Sequence, residues 1–111
     1  MRRFGLAALQ LDLGPEDNLD VIAAEIASVR RRFPWVDMVV LAELASYGVS
    51  LDRAETLPGP TEERYRDIAR QHSIWLLPGS LYERAGERVY NTAPVIDPSG
   101  KVVARHRKIY P

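Results

Sequence analysis

Two short apolar runs near the start of the sequence are separated by a segment with a helical repeat. Residues 4–11 and 36–42 form the runs, and the second is almost continuously apolar, which is typical of a strand covered on both faces. Between them, apolar side chains recur at steps of three and four residues, as on one face of a helix (Leu19, Ile22, Ile26, Val29 and Phe33). This order predicts a crossover between parallel strands.

The rest of the sequence predicts a second helix followed by a meander of strands. Thr61 can cap that helix after a long connection at residues 43–60, a length that favours a functional or mobile loop. Strands are predicted at 74–77, with a continuation at 80–83 after Pro78-Gly79, at 89–96 and at 101–109. The pattern predicts an α/β fold with a mixed sheet and both helices on one face. Its other face would lack a covering layer, which indicates that the chain is part of a larger unit.

Composition excludes several classes of function. At 111 residues the chain is long enough for one domain, and its 15 basic residues balance its 15 acidic ones, so we expect neither nucleic acid nor membrane as a partner. No apolar run approaches the roughly 20 residues of a membrane span. Residues 4–11 are too short for a signal-peptide core, so we expect a cytoplasmic protein. The absence of cysteine excludes disulfides and thiolate zinc sites within these residues.

Two residues of opposite charge stand at strand ends, where open α/β sheets place their chemistry. Glu43 follows the second apolar run, and Lys108 lies in the last predicted strand, where the period of two puts it on one face with Val102, Ala104 and His106. A carboxylate and an ammonium brought together there can act as a base and as a stabiliser of negative charge. Without further signals, Glu43 is most simply a loop carboxylate and Lys108 a solvated strand end, because most charged residues are exposed. A structural ion pair is the remaining option.

A series of short blocks runs through the whole sequence in a fixed order. They are Ala8-Leu9-Gln10, Asn18-Leu19, residues 39–44 followed by Gly48, Pro58-Gly59-Pro60, Pro78-Gly79-Ser80, Tyr90-Asn91-Thr92-Ala93, residues 97–100 and Arg107-Lys108-Ile109. Together they resemble the N-terminal part of the carbon–nitrogen hydrolase, or nitrilase, superfamily. The ending Arg-Lys-Ile-Tyr-Pro is more similar to the aliphatic amidase branch than to the nitrilases proper.

The resemblance implies a four-layer α-β-β-α sandwich, with residues 1–111 as the N-terminal portion of a single domain and roughly half of that sandwich. It implies hydrolysis of a non-peptide C–N bond in a small amide or nitrile through a Glu-Lys-Cys triad. Glu43 and Lys108 fall on the family's catalytic glutamate and lysine, and the cysteine would follow Pro111. The family needs no organic cofactor or metal, and its members usually form homo-oligomers through their helical layers.

The sequence departs from the family pattern around the glutamate. Ala42 replaces a proline, Val49 replaces an aromatic residue, and Tyr47 lies on the other side of Gly48, so we expect an altered substrate pocket. We expect Gly79 and Asn91 to shape the turn and strand around the site, and a structural hydrogen bond for His106. Ser46 and Ser80 are alternative nucleophiles, but neither lies in a Gly-x-Ser-x-Gly elbow.

The alternative from another class is a non-catalytic interaction or assembly domain that kept the scaffold and lost the nucleophile. A native reading frame that ends at Pro111 would favour this alternative, whereas a continuation through a cysteine-bearing turn would favour the enzyme. A fragment that works with a separate cysteine-bearing chain is a third option. The sequence does not distinguish between nitriles, aliphatic amides and carbamoyl amines as substrates. It also leaves open a reaction that transfers the acyl group to form an amide.

Overall fold

The computed structural model describes residues 3–108 of the chain. The predicted order of elements is confirmed, but the predicted third strand and its continuation are two separate strands. The elements are β1 (Gly5–Leu9), α1 (Leu19–Arg32), β2 (Val36–Leu41), a 3₁₀ turn (Leu51–Arg53), α2 (Pro60–His72), β3 (Trp75–Leu77), β4 (Leu81–Ala85), β5 (Arg88–Ile96) and β6 (Val102–Lys108). The part of the last predicted strand at position 109 lies outside the described residues.

The six strands found in residues 3–108 form one mixed sheet, as predicted. β1, β2 and β3 are parallel, and β5 runs antiparallel to β3, β4 and β6. Asn91 of β5 pairs with Tyr82 of β4 and also with Lys108 of β6, so β4 and β6 flank β5 on opposite edges. Ile96 likewise lies between β3 and β6, which places β3 on the same edge as β4. β3 and β4 therefore pair one after the other with the same side of β5, and Pro78-Gly79 separates them.

Both helices pack on one face of this sheet, which confirms the prediction. Ile22 and Ile26 of α1 and Tyr65 of α2 are fully buried, as are Val39 of β2 and Leu76 of β3, and they form one continuous core. Full burial of a large apolar side chain contributes about 1.5–3 kcal/mol, so this core holds the helical layer to the sheet.

The start of α2 differs from the prediction. The helix begins at Pro60, whose fixed φ suits the first helical position, and Thr61 lies inside the first turn instead of capping it. The Thr61 N–H donates to the Glu55 carboxylate at 3.0 Å, so a side chain from the preceding connection caps the helix. Because the capping side chain comes from Glu55 in the preceding loop, it cannot be recognised from a Ser, Thr, Asp or Asn directly before the helix.

The sheet face opposite the helices carries an open groove of about 620 Å³. Its apolar lining comes from Val40, Leu77, Ala93 and Val95, which alternate along three strands, together with Leu41 and Pro94. No helix within residues 3–108 covers this face, as the sequence predicts.

A register shift in β6 corrects one prediction about this face. Val95 pairs with Ala104 and Ile96 with Val102, so the pairing skips Val103. Val102 consequently packs against the helix-side core and does not share a face with Ala104. Beyond the shift the alternation is regular, and His106 and Lys108 both line the groove.

Candidate active site

Glu43 stands at the carboxyl end of β2, two residues after Leu41. The next residue, Leu44, has a φ of 54°, which is uncommon for a non-glycine residue and turns the chain sharply after the carboxylate. Its N–H donates to the Ser80 hydroxyl oxygen at 3.0 Å, a contact that holds the turn against the β3–β4 break. Strained backbone of this kind persists where the surroundings fix it, and it is concentrated at functional sites.

Gly79 allows the β3–β4 break to lie directly against the residue before Glu43. A Cβ built on Gly79 would lie 1.9 Å from the Ala42 carbonyl oxygen, and the glycine has a φ of +76°. Only a residue without a side chain fits both the close approach and the left-handed backbone. The break therefore supports the turn that carries the carboxylate, in agreement with the role in shaping this turn that the sequence predicts for Gly79.

We predict that Gly79→Ala destabilises the protein more than Gly86→Ala. Gly86 has a φ of +63° but no atom within 4 Å of a built Cβ, so its substitution isolates the backbone cost, about 1–2 kcal/mol. Gly79→Ala adds a clash with backbone to that cost. Urea unfolding of the two variants measures the difference in free energy of unfolding. Equal losses would show that the approach to Ala42 is not tight.

Lys108 reaches Glu43 across the groove. It pairs with Asn91 in the sheet, and its Nζ lies 3.7 Å from Glu43 Oε1. The two side chains are 56% and 57% exposed, and an exposed ion pair contributes only about 0–1 kcal/mol to stability because water screens it. The structure thus brings the two predicted residues together at a place open to a small ligand, where their mutual attraction contributes little to the fold.

Asn91 makes the shortest contact with the carboxylate. Its Nδ2 lies 2.6 Å from Glu43 Oε1, and its side chain is almost fully buried. A carboxylate oxygen can only accept, so the amide nitrogen is the donor. From the sequence, Asn91 is expected only to shape the strand around the site, so this contact was not predicted. The signal was its place in the Tyr-Asn-Thr-Ala block, but the contact depends on the register between β5 and its neighbours.

Hydrogen bonds to both helical segments hold the connection that follows Glu43. The Asn18 amide donates to the Ala45 carbonyl at 3.0 Å, and the Ser46 hydroxyl lies 2.6 Å from the Tyr65 hydroxyl. Burial raises the pKa of Tyr65, which keeps its hydroxyl neutral. Ser46 and Ser80, the alternative nucleophiles, are both buried and both engaged in hydrogen bonds that hold this connection.

Two arginines on the other face of β6 fix the strand that carries Lys108. Arg107 donates through Nε and Nη2 to the carboxylate of Glu83, each at 2.8 Å, and Arg105 binds buried Glu62 of α2 at 2.8 and 2.5 Å. The hydrogen bonds from Arg107 lower the pKa of Glu83, so this carboxylate stays ionised and bound. Because successive residues point to opposite faces, these contacts hold Lys108 towards the groove.

His106 also lines the groove but does not have the structural role expected of it. Its side chain is exposed, and its ring makes no hydrogen bond to any residue among 3–108. A metal site is not seen in the same part of the chain, because no three histidine, aspartate or glutamate side chains converge there. In residues 3–108, neither α1 nor α2 has the length and apolar character needed to cross a membrane.

Several curated proteins are similar to this chain. Omega-amidase NIT2 of Mus musculus is 31% identical over 116 residues, which cover 99% of this chain and 41% of that protein. Omega-amidase NIT2 of Homo sapiens is 28% identical, with the same coverage of 99% and 41%. The chain therefore spans about 41% of the length of these curated relatives, and it corresponds to their N-terminal part.

Solved structures share the fold. Nit3 of Saccharomyces cerevisiae, a member of branch 10 of the nitrilase superfamily, superposes with a TM-score of 0.85 at 24% identity and covers 96% of this chain and 44% of its own. An amidase from Nesterenkonia sp. has a TM-score of 0.77 at 26% identity and covers 96% and 43%. A double mutant of the Nesterenkonia amidase, with a TM-score of 0.77 at 25% identity, is in complex with acrylamide.

A family model tests the resemblance along the chain itself. The carbon–nitrogen hydrolase model matches residues 5–111, which is nearly the whole sequence. The match includes both Glu43 and Lys108 and all the ordered blocks. The chain therefore belongs to the carbon–nitrogen hydrolase family, as the order of its sequence blocks predicts.

Proposed function

We propose that the complete protein is an amidase-type hydrolase that cleaves a non-peptide C–N bond in a small amide and releases ammonia or an amine. One observation carries the proposal: the Glu43 carboxylate and the Lys108 ammonium lie 3.7 Å apart in an open groove. Amidases among the relatives, and the acrylamide complex of one of them, support the choice of an amide as substrate.

Glu43 acts as general base and then as general acid. In the first step it takes the proton of a cysteine thiol supplied by chain beyond Pro111, and the thiolate attacks the amide carbon. A C–S bond forms while the carbonyl electron pair moves onto oxygen. When this intermediate collapses, the C–N bond breaks and protonated Glu43 gives its proton to the departing nitrogen. Glu43 then takes a proton from the water that attacks the thioester carbon. When this second intermediate collapses, the C–S bond breaks and Glu43 returns the proton to the departing cysteine sulfur.

Lys108 stabilises the negative charge that forms on oxygen in both steps. Its ammonium interacts more strongly with the oxyanion than with the neutral carbonyl, which lowers the barrier and not merely the energy of the bound substrate. A fixed strand end suits this role, because the charge need not be reoriented during the reaction. The hydrogen bonds of Arg105 and Arg107 on the opposite face of β6 keep this strand end in place.

We also propose that residues 1–111 are the N-terminal portion of a single carbon–nitrogen hydrolase domain. In this proposal, later chain covers the open face of the sheet and completes a four-layer α-β-β-α sandwich. The apolar lining of the groove supports a covering layer, because a bare apolar surface of this size is unfavourable in water. A cytoplasmic location and a homo-oligomeric assembly remain predictions.

Ammonia release by the complete protein tests the proposal. We expect turnover of at least one primary aliphatic amide in a panel that also contains nitriles and carbamoyl amines, measured by a coupled ammonia assay. Mass spectrometry of the acid-quenched reaction should show an acyl adduct on the protein, because the thioester precedes hydrolysis. A folded complete protein that releases no ammonia from any compound would instead support the non-catalytic assembly domain.

A further inference from the structure

The two oxygens of the Glu43 carboxylate have different surroundings. Oε1 accepts the hydrogen bond of Asn91 at 2.6 Å and lies 3.7 Å from the Lys108 ammonium. Oε2 makes no hydrogen bond to any residue among 3–108. One oxygen is thus anchored, and the other accepts no hydrogen bond from this part of the protein.

Asn91 is the rigid member of this trio. It lies within β5, its backbone pairs with Tyr82 on one side and Lys108 on the other, and the residue is only 4% exposed. Glu43, in contrast, has a long side chain that is more than half exposed. Such side chains lose about 1.5–2 kcal/mol of rotamer entropy when they are fixed, so they do not hold one geometry without help. The amide is therefore the group that determines where the carboxylate stands.

We propose that Asn91 is a positioning residue, which holds Oε1 so that Oε2 is the oxygen that takes and returns the proton. This inference rests on the proposed function of Glu43 as general base. A proton acceptor works only within hydrogen-bond reach of the proton it removes. A carboxylate released from Asn91 can turn both oxygens towards Lys108 or solvent, and a misplacement of about 1 Å costs on the order of 10²-fold in rate.

Two substitutions of Asn91 in the complete protein test the proposal. Asn91→Ala removes the donor, and Asn91→Asp keeps the size of the side chain but places a second carboxylate against the first. Both should lower kcat by about 10²-fold with little change in KM, because binding of the neutral substrate does not require the oriented oxygen. The nearly isosteric aspartate variant keeps the test informative if the alanine variant folds poorly.

Thr92→Val is the matched control for loss of a buried hydrogen bond. Thr92 is the next residue of β5, is fully buried, and donates to Glu83 at 2.7 Å. Its substitution should lower the free energy of unfolding but lower kcat far less than Asn91→Ala does, because Glu83 keeps both hydrogen bonds from Arg107. If Thr92→Val and Asn91→Ala lower kcat equally, the effect of Asn91 is merely structural and the proposal is overturned.

A double-mutant comparison separates action through Glu43 from any other action. Glu43→Asp withdraws the carboxylate from Asn91, so adding Asn91→Ala to it should cause little further loss of kcat. A loss as large as in the wild-type background would overturn the proposal. Wild-type kcat in both Asn91 variants would also overturn the positioning role of Asn91. If Glu43→Gln is inactive in the same assay, the proposed function is unaffected by that result. An active Glu43→Gln variant would instead reject the proposed function itself.

Discussion

Replacing Lys108 by alanine in the complete protein is expected to lower kcat by about 10²–10³-fold, the usual cost of removing one stabiliser of an oxyanion. The loss should fall on kcat more than on KM, because the ammonium interacts with charge that exists only in the transition state. Stability should hardly change, since the pair with Glu43 is exposed and screened by water. A large kinetic effect without a structural effect is the signature of a catalytic cation.

Lys101→Ala is the matched control for Lys108→Ala. Lys101 is also exposed and directly precedes the same strand, but it does not line the groove. Steady-state ammonia release and thermal unfolding should be measured for both variants and for Lys108→Arg, which keeps the charge but changes its shape. We expect wild-type turnover from Lys101→Ala and partial activity from Lys108→Arg. Substantial activity in a folded Lys108→Ala protein would reject the role of this lysine.

Replacing Glu43 by glutamine is expected to cost about 10²–10⁴-fold in kcat, the typical contribution of a general acid–base. Glutamine has the same size but takes no proton, so the thiol keeps its hydrogen and the leaving nitrogen receives none. The substitution also changes the contact with Asn91, because one orientation of the new amide turns a donor towards the Asn91 donor. Most of the loss should nevertheless come from the missing base, because the fold does not depend on this exposed carboxylate.

Glu87→Gln provides the comparison for the change of charge. Glu87 is exposed in the turn between β4 and β5 and lies outside the groove. Its substitution should leave kcat and the unfolding temperature unchanged. The reaction should be followed with saturating amide so that kcat is measured directly. A Glu43→Gln protein within a few-fold of wild-type kcat would show that another group takes the proton.

The features set by local pattern were predictable from the sequence. The steps of three and four residues predicted α1, and the apolar run before Glu43 predicted β2, because the buried faces of these elements repeat with their own periods. The placement of Glu43 and Lys108 at strand ends followed from the same reading. Their assignment to a reaction depended on the ordered family blocks, since charged residues at strand ends are otherwise ordinary.

The features set by pairing between distant segments were not predictable. The skipped Val103 and the cap of α2 by Glu55 each depend on a register or a contact that no local pattern encodes. The contact between Asn91 and Glu43 joins residues 48 positions apart and exists only once β5 lies beside its neighbours. Sequence reasoning thus found the charged pair and missed the neutral group that holds it.

A crystal structure of the complete protein tests the central claim most directly. The informative quantity is the distance from the Glu43 carboxylate to the nearest cysteine sulfur. The account predicts a cysteine from beyond Pro111 in the groove, with its sulfur about 3–3.5 Å from the carboxylate and beside the Lys108 ammonium. A groove filled by other side chains, with no cysteine within reach of Glu43, would contradict the account.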